Sequence, residues 1–128
     1  MKYLLDTHTF LWYFEDSVHL NETSVKIIEN TNEQKYISIV SLWEFSIKFS
    51  TGKLRFEGGL PNLWEMISQN MFIVLPITQE TLKCLIDNLP FIHRDPFDRM
   101  IIATAITENL TIITNDENIQ KYDVHWVW

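Results

Sequence analysis

The stretch that decides the fold is "DPFDRMIIATAITENLTIITND", which runs from Asp95 to Asp116. Its first part has the pattern of a helix, because Asp95 suits the N-cap and Pro96 suits the first helical position. An apolar run follows, and "LTIITND" then predicts a buried strand that leads into a polar turn. A helix that feeds a parallel strand through a short loop must begin at the carboxyl edge of the sheet. The stretch therefore predicts a helix, a strand and the position of Asp98 at that edge.

Short apolar runs alternate with helical patterns along the rest of the chain. Strands are predicted at Lys2–Leu5, Lys35–Val40, Met71–Pro76, Leu110–Thr114 and Val124–Trp128. Helices are predicted at Thr7–Asp16, Asn21–Asn30, Ser41–Lys53, Leu60–Asn70, Thr78–Leu89 and Pro96–Asn109. This alternation predicts a single α/β domain over residues 1–128, a three-layer α/β/α sandwich with a mostly parallel central sheet. The working groove of such a sheet lies beyond the carboxyl ends of its strands.

The bulk composition narrows the class of protein. The 128 residues are 46% hydrophobic and 13% aromatic, which predicts one ordered domain. No apolar stretch approaches the length of a membrane span, and the start, "MKYLLDTH", turns polar too early for a secretory signal. Cys84 is the only cysteine, which excludes an internal disulfide and suits the reducing environment of the cytoplasm.

The charge balance bears on the kind of partner. Seventeen acidic residues against ten basic ones give a net charge of −7. This argues against a broad basic platform for nucleic acid. It leaves open an enzyme that acts on nucleic acid, because an acidic site gains affinity through bound cations.

Four carboxylates from distant parts of the chain are predicted at one edge of the sheet. Asp6 ends the first strand, and Glu44 is predicted in the first turn of the helix after "YISIV". Asp116 follows the strand "LTIIT", and Asp98 begins its helix at the same edge. Converging carboxylates raise one another's pKa, and a divalent cation relieves that repulsion. An all-oxygen donor set suits Mg²⁺ or Mn²⁺ rather than Zn²⁺.

Each acid also has a local structural interpretation. The segment "SLWE" fits a capping box, with Ser41 as the cap and Glu44 reaching back to it. Asp6, Asp95 and Asp116 each suit the N-cap of the helix or turn that follows. Capping explains each acid singly, but it does not require that the helix starts converge.

Four segments together resemble a known family: "LLDTH", "SLWEFSIK", "DPFDRMIIATA" and "TIITNDENI". In this order and spacing they are similar to the PIN-domain ribonucleases, especially the VapC-type toxins of bacterial toxin–antitoxin pairs. The resemblance runs from Lys2 to about Ile119. It implies an α/β/α sandwich and an acidic site that uses Mg²⁺ or Mn²⁺ to hydrolyse phosphodiester bonds in RNA. It also implies a small antitoxin partner and a homodimer.

The resemblance assigns a role to each of the four acids. Asp6 matches the family's first acid, Glu44 the helical glutamate, and Asp98 the acid before an Ile-Ala-rich run. Asp116 matches the last acid, so these four are the predicted catalytic residues. The aspartates are expected to hold the metal, with Glu44 holding metal-bound water or a second ion. Asp95 lies outside the minimal pattern and is expected to be a cap with an accessory role.

Further residues near the acids are predicted to assist. Thr7 and Thr114 are expected to orient the carboxylates as hydrogen-bond donors, or else to serve as turn or cap residues. Arg94 and Arg99 are expected to contact RNA phosphates, or else to form ion pairs with nearby acids. His8 stands where the resembling family has a small polar residue, so its contact with metal or substrate is left open.

Three aromatic side chains lie near the acids in the sequence: Trp12, Trp43 and Phe45. Stacking on RNA bases and docking of an apolar partner segment are two possible roles. Core packing is the favoured interpretation for each, because aromatic residues dominate protein cores.

Two other functions compete with a ribonuclease. A phosphatase of the haloacid-dehalogenase type also opens with a strand and an aspartate, but it needs a second aspartate where this chain has His8. A catalytically inactive PIN-like module that binds a partner or a metal is the non-enzyme alternative. The presence of all four acids argues against that alternative.

Overall fold

Five strands form one central sheet in which every neighbouring pair is parallel. The computed structural model describes residues 1–128. The strands are β1 (Lys2–Leu5), β2 (Gln34–Ser38), β3 (Ile73–Leu75), β4 (Thr111–Ile113) and β5 (Trp126–Val127). Their order across the sheet is β3-β2-β1-β4-β5, so β1 lies at the centre. The carboxyl ends of all five strands therefore meet at one edge.

Helices cover both faces of the sheet. They are α1 (Thr7–Phe14), α2 (Glu22–Glu29), α3 (Ile39–Ser50), α4 (Gly59–Gln69), α5 (Gln79–Asp87), α6 (Pro96–Glu108) and α7 (Glu117–Gln120). Side chains alternate along β1, so Leu5 joins one core cluster and Leu4 joins the other. The first core packs against α1 to α4, and the second packs against α6 and α7. The predicted three-layer sandwich is confirmed, and none of its helices has the length and apolar character needed to cross a membrane.

Helix capping follows the sequence at most of the predicted starts. Asn21 caps α2 and Thr78 caps α5, each through a side-chain oxygen that accepts a backbone N–H. The carboxylate of Asp95 caps α6, with Pro96 at its first position as predicted. Gly52 follows the end of α3 with φ +76°, a conformation that glycine adopts without steric cost.

The boundary between β2 and α3 differs from the prediction. The strand ends at Ser38, whose hydroxyl accepts the N–H of Val40 at 3.1 Å and caps the helix. The predicted cap, Ser41, instead lies inside α3, and Glu44 lies in its second turn rather than its first. The prediction was wrong because the β-branched run that ends at Val40 suits a strand, whereas here its last two residues begin the helix and Val40 is buried in it.

Three smaller differences concern the ends of elements. β3 is three residues long, because Met71 adopts φ +57° in the turn after α4. β5 is two residues long, and the predicted turn "ENIQ" is the short helix α7. None of these differences moves a predicted acid away from the carboxyl edge of the sheet.

Leu4 offers a test of this two-sided packing, because its side chain is fully buried beneath α6. We expect Leu4→Ala to lower the free energy of unfolding by about 2–5 kcal/mol, since the vacated volume cannot be refilled by rigid neighbours. Urea denaturation followed by circular dichroism measures the change. Val18→Ala is the control at a side chain that is 95% exposed, with an expected effect below about 0.5 kcal/mol. Equal effects of the two substitutions would contradict the packing described here.

Candidate active site

Asp6 lies at the centre of the site because of the strand register. Leu5 of β1 pairs with Ile113 of β4, so the next residues, Asp6 and Thr114, lie side by side. The Thr114 hydroxyl donates to Oδ2 of Asp6 at 2.9 Å, and the Thr7 N–H donates to Oδ1 at 2.7 Å. Asp6 is only 3% exposed, so these hydrogen bonds replace the water that its carboxylate loses.

Thr114 also connects Asp6 to Asp116. Its hydroxyl accepts the N–H of Asp116 at 3.0 Å while it donates to Asp6. Asp116 in turn caps α7, because its Oδ1 accepts the N–H of Asn118 at 2.8 Å. A single buried hydroxyl thus holds the ends of β1 and β4, and the two acids that follow them, in a fixed relation.

Glu44 reaches the same edge from the second turn of α3. Its Oε1 accepts the Thr7 hydroxyl at 2.8 Å, and Ser41 Oγ lies 2.9 Å from that hydroxyl. Its Oε2 pairs with Lys48 at 2.6 Å, one helical turn further along. The hydrogen bond to Glu44 holds the pKa of Lys48 above its usual value, and the charges of Asp95 and Asp98 add to the effect. Because the charges of Asp95 and Asp98 act on Lys48, the ion pair of Lys48 with Glu44 lies near the start of α6.

Asp98 occupies the first turn of α6, and Asp95 fixes that turn. Oδ1 of Asp95 accepts the N–H of Phe97 at 2.9 Å and that of Asp98 at 3.0 Å. Oδ2 of Asp98 lies 3.1 Å from Nε2 of His93. The cap therefore sets where the helix begins, and the helix start brings Asp98 to the edge occupied by Asp6 and Asp116.

Two of the acids have strongly raised pKa values. Burial raises the pKa of Asp98 to about 7, and repulsion from Asp6, Asp95 and Asp116 adds to this, against the hydrogen bond with His93. Burial raises the pKa of Asp6 to about 6, and Asp116 raises it further. Hydrogen bonds from Thr114 and Thr7 and the charge of His8 lower it only in part. Asp6, Asp95 and Asp116 are therefore close enough to Asp98 to disfavour its charge.

Two residues at the site were not singled out from the sequence: His93 and Tyr122. Nδ1 of His93 lies 2.8 Å from the phenol oxygen of Tyr122, and Nε2 contacts Asp98. No sequence signal connects His93 with Tyr122, because 29 residues separate them. The sequence suggests that Lys48, Lys53 and Arg55 form a basic cluster on a solvated face, but it is the i,i+4 spacing of Lys48 from Glu44 that indicates the observed ion pair.

The two arginines of the predicted site have different surroundings. Arg99 is buried; its Nη1 donates to the Pro90 carbonyl at 2.8 Å and to the Tyr122 hydroxyl at 3.1 Å. Its guanidinium also lies 4.2 Å from the ring centre of Phe91. These contacts favour a structural role for Arg99 over the predicted phosphate contact, although its partners are a carbonyl and a phenol rather than the expected acids. Arg94 is exposed and free to meet a phosphate.

The aromatic residues near the acids also differ. Phe45 is fully buried in the first core, as expected. Trp43, however, is 59% exposed, and its ring contacts Phe97 of α6 edge-on at 5.3 Å between centroids. The expectation of core packing is therefore wrong for Trp43, which projects from the outer face of α3.

The donor chemistry of the acids fits a hard divalent cation. Asp6, Glu44, Asp98 and Asp116 offer only oxygen, the ligand that Mg²⁺ and Mn²⁺ prefer. A cation among them would offset the repulsion that, in addition to burial, raises the pKa of Asp98. No three His, Cys, Asp or Glu side chains are already arranged to hold a metal ion. The acids therefore fit the metal by chemistry and by charge, without a preformed set of ligand distances.

Comparison with known proteins identifies the family. The PIN-domain model matches residues 3–124, so the chain belongs to the PIN-domain family. It is similar to Ribonuclease VapC22 of Mycobacterium tuberculosis, with 24% identity over 123 residues that cover 93% of this chain and 90% of that protein.

Solved structures share the same fold. One is the crystal structure of VapBC2 from Rickettsia felis bound to a DNA fragment from their promoter. Its TM-score is 0.73, with 16% identity over 100% of this chain and 99% of the other. Another is a toxin–antitoxin complex from Klebsiella pneumoniae, with a TM-score of 0.67 and 17% identity over 98% of this chain and 95% of the other. Identities this low establish a common fold.

The raised pKa of Asp98 predicts how stability changes with pH in the metal-free protein. The unfolded chain releases this proton near pH 3.8, whereas the folded chain holds it until about pH 7. The free energy of unfolding should therefore fall, on the order of 2 kcal/mol, as the pH rises from about 4 to 7. Urea denaturation in EDTA at a series of pH values measures this fall.

Asp98→Asn is the matched variant, because an asparagine carries no charge at any of these pH values and still offers an oxygen to His93. We expect its stability to vary less with pH, with a remaining slope from Asp6. A wild-type stability that is flat over this range, or an equal slope in the variant, would contradict the assignment.

Proposed function

We propose that this chain is a divalent-metal-dependent endoribonuclease and the toxin of a toxin–antitoxin pair. The observation that carries the proposal is the hydrogen-bonded arrangement of Asp6, Thr114 and Asp116 at the carboxyl edge of the parallel sheet. Burial and the charges of Asp6 and Asp116 raise the pKa of Asp98, which agrees with a position close to them. Membership of the PIN-domain family and similarity to a protein named as a ribonuclease support it. Mg²⁺ or Mn²⁺ is the proposed cofactor, RNA the proposed substrate and the cytoplasm the proposed location.

The roles of the residues follow from their positions. Asp6, Asp98 and Asp116 would hold the metal, and Glu44 would hold metal-bound water or a second ion. The bound ion supplies a Lewis acid that lowers the pKa of a water and offsets charge on the phosphoryl group. Thr7 and Thr114 orient the carboxylates through their hydrogen bonds. Arg94 is the proposed contact to an RNA phosphate.

The proposed protein partners are an antitoxin and a second copy of the chain. The antitoxin is carried over from the Klebsiella pneumoniae structure, which is a toxin–antitoxin complex. A homodimer suits the exposed apolar side chains that follow one stripe of α3, namely Ile39, Trp43 and Ile47. An apolar stripe of this kind is stabilised when a partner covers it.

Charge removal at the acids tests the catalytic proposal. We expect Asp98→Asn and Asp6→Asn each to lower RNA cleavage by about 100-fold or more, because each removes an ionised ligand and asparagine keeps a similar shape. Cleavage of a mixed RNA substrate in Mg²⁺ or Mn²⁺, analysed by denaturing electrophoresis, measures the loss, and EDTA should abolish the wild-type activity.

Asp87→Asn is the control for that experiment, since Asp87 pairs with Lys83 on the surface of α5. It should cleave RNA at the wild-type rate. Full activity in EDTA, or unchanged activity in folded Asp98→Asn, would contradict the metal mechanism. Binding of Mn²⁺ without cleavage of any RNA, by a protein that also fails to arrest growth when expressed, would favour an inactive metal-binding module.

The proposed dimer is tested at Trp43. We expect Trp43→Ser to weaken self-association by about tenfold or more, because a large exposed aromatic is the kind of residue that anchors an interface. Sedimentation equilibrium over a range of protein concentrations measures the dissociation constant. Trp64→Ser is the control, since Trp64 is a similarly exposed tryptophan on α4. A monomeric wild-type chain, or equal weakening in both variants, would overturn this contact.

A further inference from the structure

The segment between α5 and α6 is fixed by a buried cluster behind Asp98. Arg99 donates to the carbonyl of Pro90, and the Tyr122 hydroxyl accepts the backbone N–H of His93 at 3.2 Å. Tyr122 is itself buried in the second core. These contacts hold the His93 ring in one place, with Nδ1 toward Tyr122 and Nε2 toward Asp98.

A count of protons settles which nitrogen of His93 carries hydrogen. The Tyr122 oxygen has two lone pairs and one proton. The backbone N–H of His93 and the guanidinium of Arg99 are permanent donors, and they use both lone pairs. The phenol proton must therefore go to its third neighbour, Nδ1 of His93, 2.8 Å away. Nδ1 is then an acceptor, which leaves the ring hydrogen on Nε2.

We propose that His93 is a positioning residue for Asp98, with its tautomer set by Tyr122 and Arg99. The Nε2–H donates to Oδ2 of Asp98 and fixes the orientation of that carboxylate. Oδ1 of Asp98 accepts no hydrogen bond from the protein, so it is the oxygen left for a ligand. Metal-binding side chains are commonly oriented by outer partners in this way, and loss of such a partner costs about 10–100-fold in metal affinity or activity.

The tautomer can be measured without metal or RNA. Long-range ¹⁵N–¹H correlation spectra of the EDTA-treated protein distinguish a ring protonated at Nε2 from one protonated at Nδ1. The chain has four histidines, and the signal lost in His93→Gln identifies His93. We expect the Nε2–H form in the wild type and a mixture in Tyr122→Phe. The Nδ1–H form in the wild type would overturn the proposal, as would an unchanged tautomer in folded Tyr122→Phe.

Substitutions at His93 test the effect on Asp98. A glutamine places its amide nitrogen near the position of Nε2, whereas an asparagine is too short and places it near Nδ1. We expect His93→Asn and His93→Ala to weaken Mn²⁺ binding by about tenfold or more, and His93→Gln to stay within about threefold of the wild type. Isothermal titration of Mn²⁺ into the RNA-free protein measures this directly.

Steady-state kinetics of RNA cleavage distinguishes a role of His93 in positioning Asp98 from a role in folding. For RNA cleavage we expect kcat to fall in His93→Asn with little change in KM, because His93 acts on the metal ligand rather than on RNA binding. His125→Asn is the control at an exposed histidine. Failure of His93→Gln to restore Mn²⁺ affinity in folded protein would overturn the proposal, and so would wild-type affinity in His93→Ala.

This inference rests on the proposed function, a metal-dependent nuclease. The experiments distinguish failure of that function from failure of the positioning role of His93. A wild-type chain that neither binds Mn²⁺ nor cleaves RNA would overturn the proposed function and, with it, the role of His93 toward a metal. A wild-type chain that binds Mn²⁺ and cleaves RNA, with folded His93 variants that do both equally well, would overturn only the positioning role.

Discussion

The hydrogen bond from Thr114 to Asp6 joins the two central strands at the point where each one ends. It follows from the parallel register, because Leu5 opposite Ile113 leaves Asp6 beside Thr114. A carboxylate this deeply buried requires such donors, since an unpaired charge in a protein interior costs several kcal/mol. Thr114 also accepts the N–H of Asp116, so the two acids are held by one hydroxyl. The remaining acids are arranged around this pair.

The sequence predicts the fold well where the capping residues of a helix and the length of its connection to the next strand indicate the same arrangement. Asp95 and Pro96 mark the start of α6, and its short connection to β4 requires that start to lie at the carboxyl edge. Asp98 therefore could be assigned to that edge without coordinates. The β2–α3 boundary could not be assigned in this way, because Ile39 and Val40 suit a strand by propensity, although they begin the helix and only Val40 is buried there. The hydroxyl of Ser38 decides between them, and capping by serine is too common a pattern to be decisive beforehand.

The surroundings of the acids were less accessible to sequence reasoning. Tyr122 approaches His93 from 29 residues away, and nothing in either segment indicates the contact. Arg99 follows Asp98 directly, which suggests a role at the site, yet the helix turns its side chain toward Pro90 and Tyr122. Adjacent positions on a helix point about 100° apart, so proximity in sequence is a poor guide to shared contacts.

The two edge strands of the sheet affect how the chain can assemble. β3 and β5 form its two edges, and they are only three and two residues long. Edge strands this short expose few unpaired backbone groups, so a second copy gains little by extending the sheet. The same brevity protects the chain against edge-to-edge aggregation when its concentration rises. The proposed dimer would therefore form through helix faces, where side chains rather than backbone hydrogen bonds determine which partner fits.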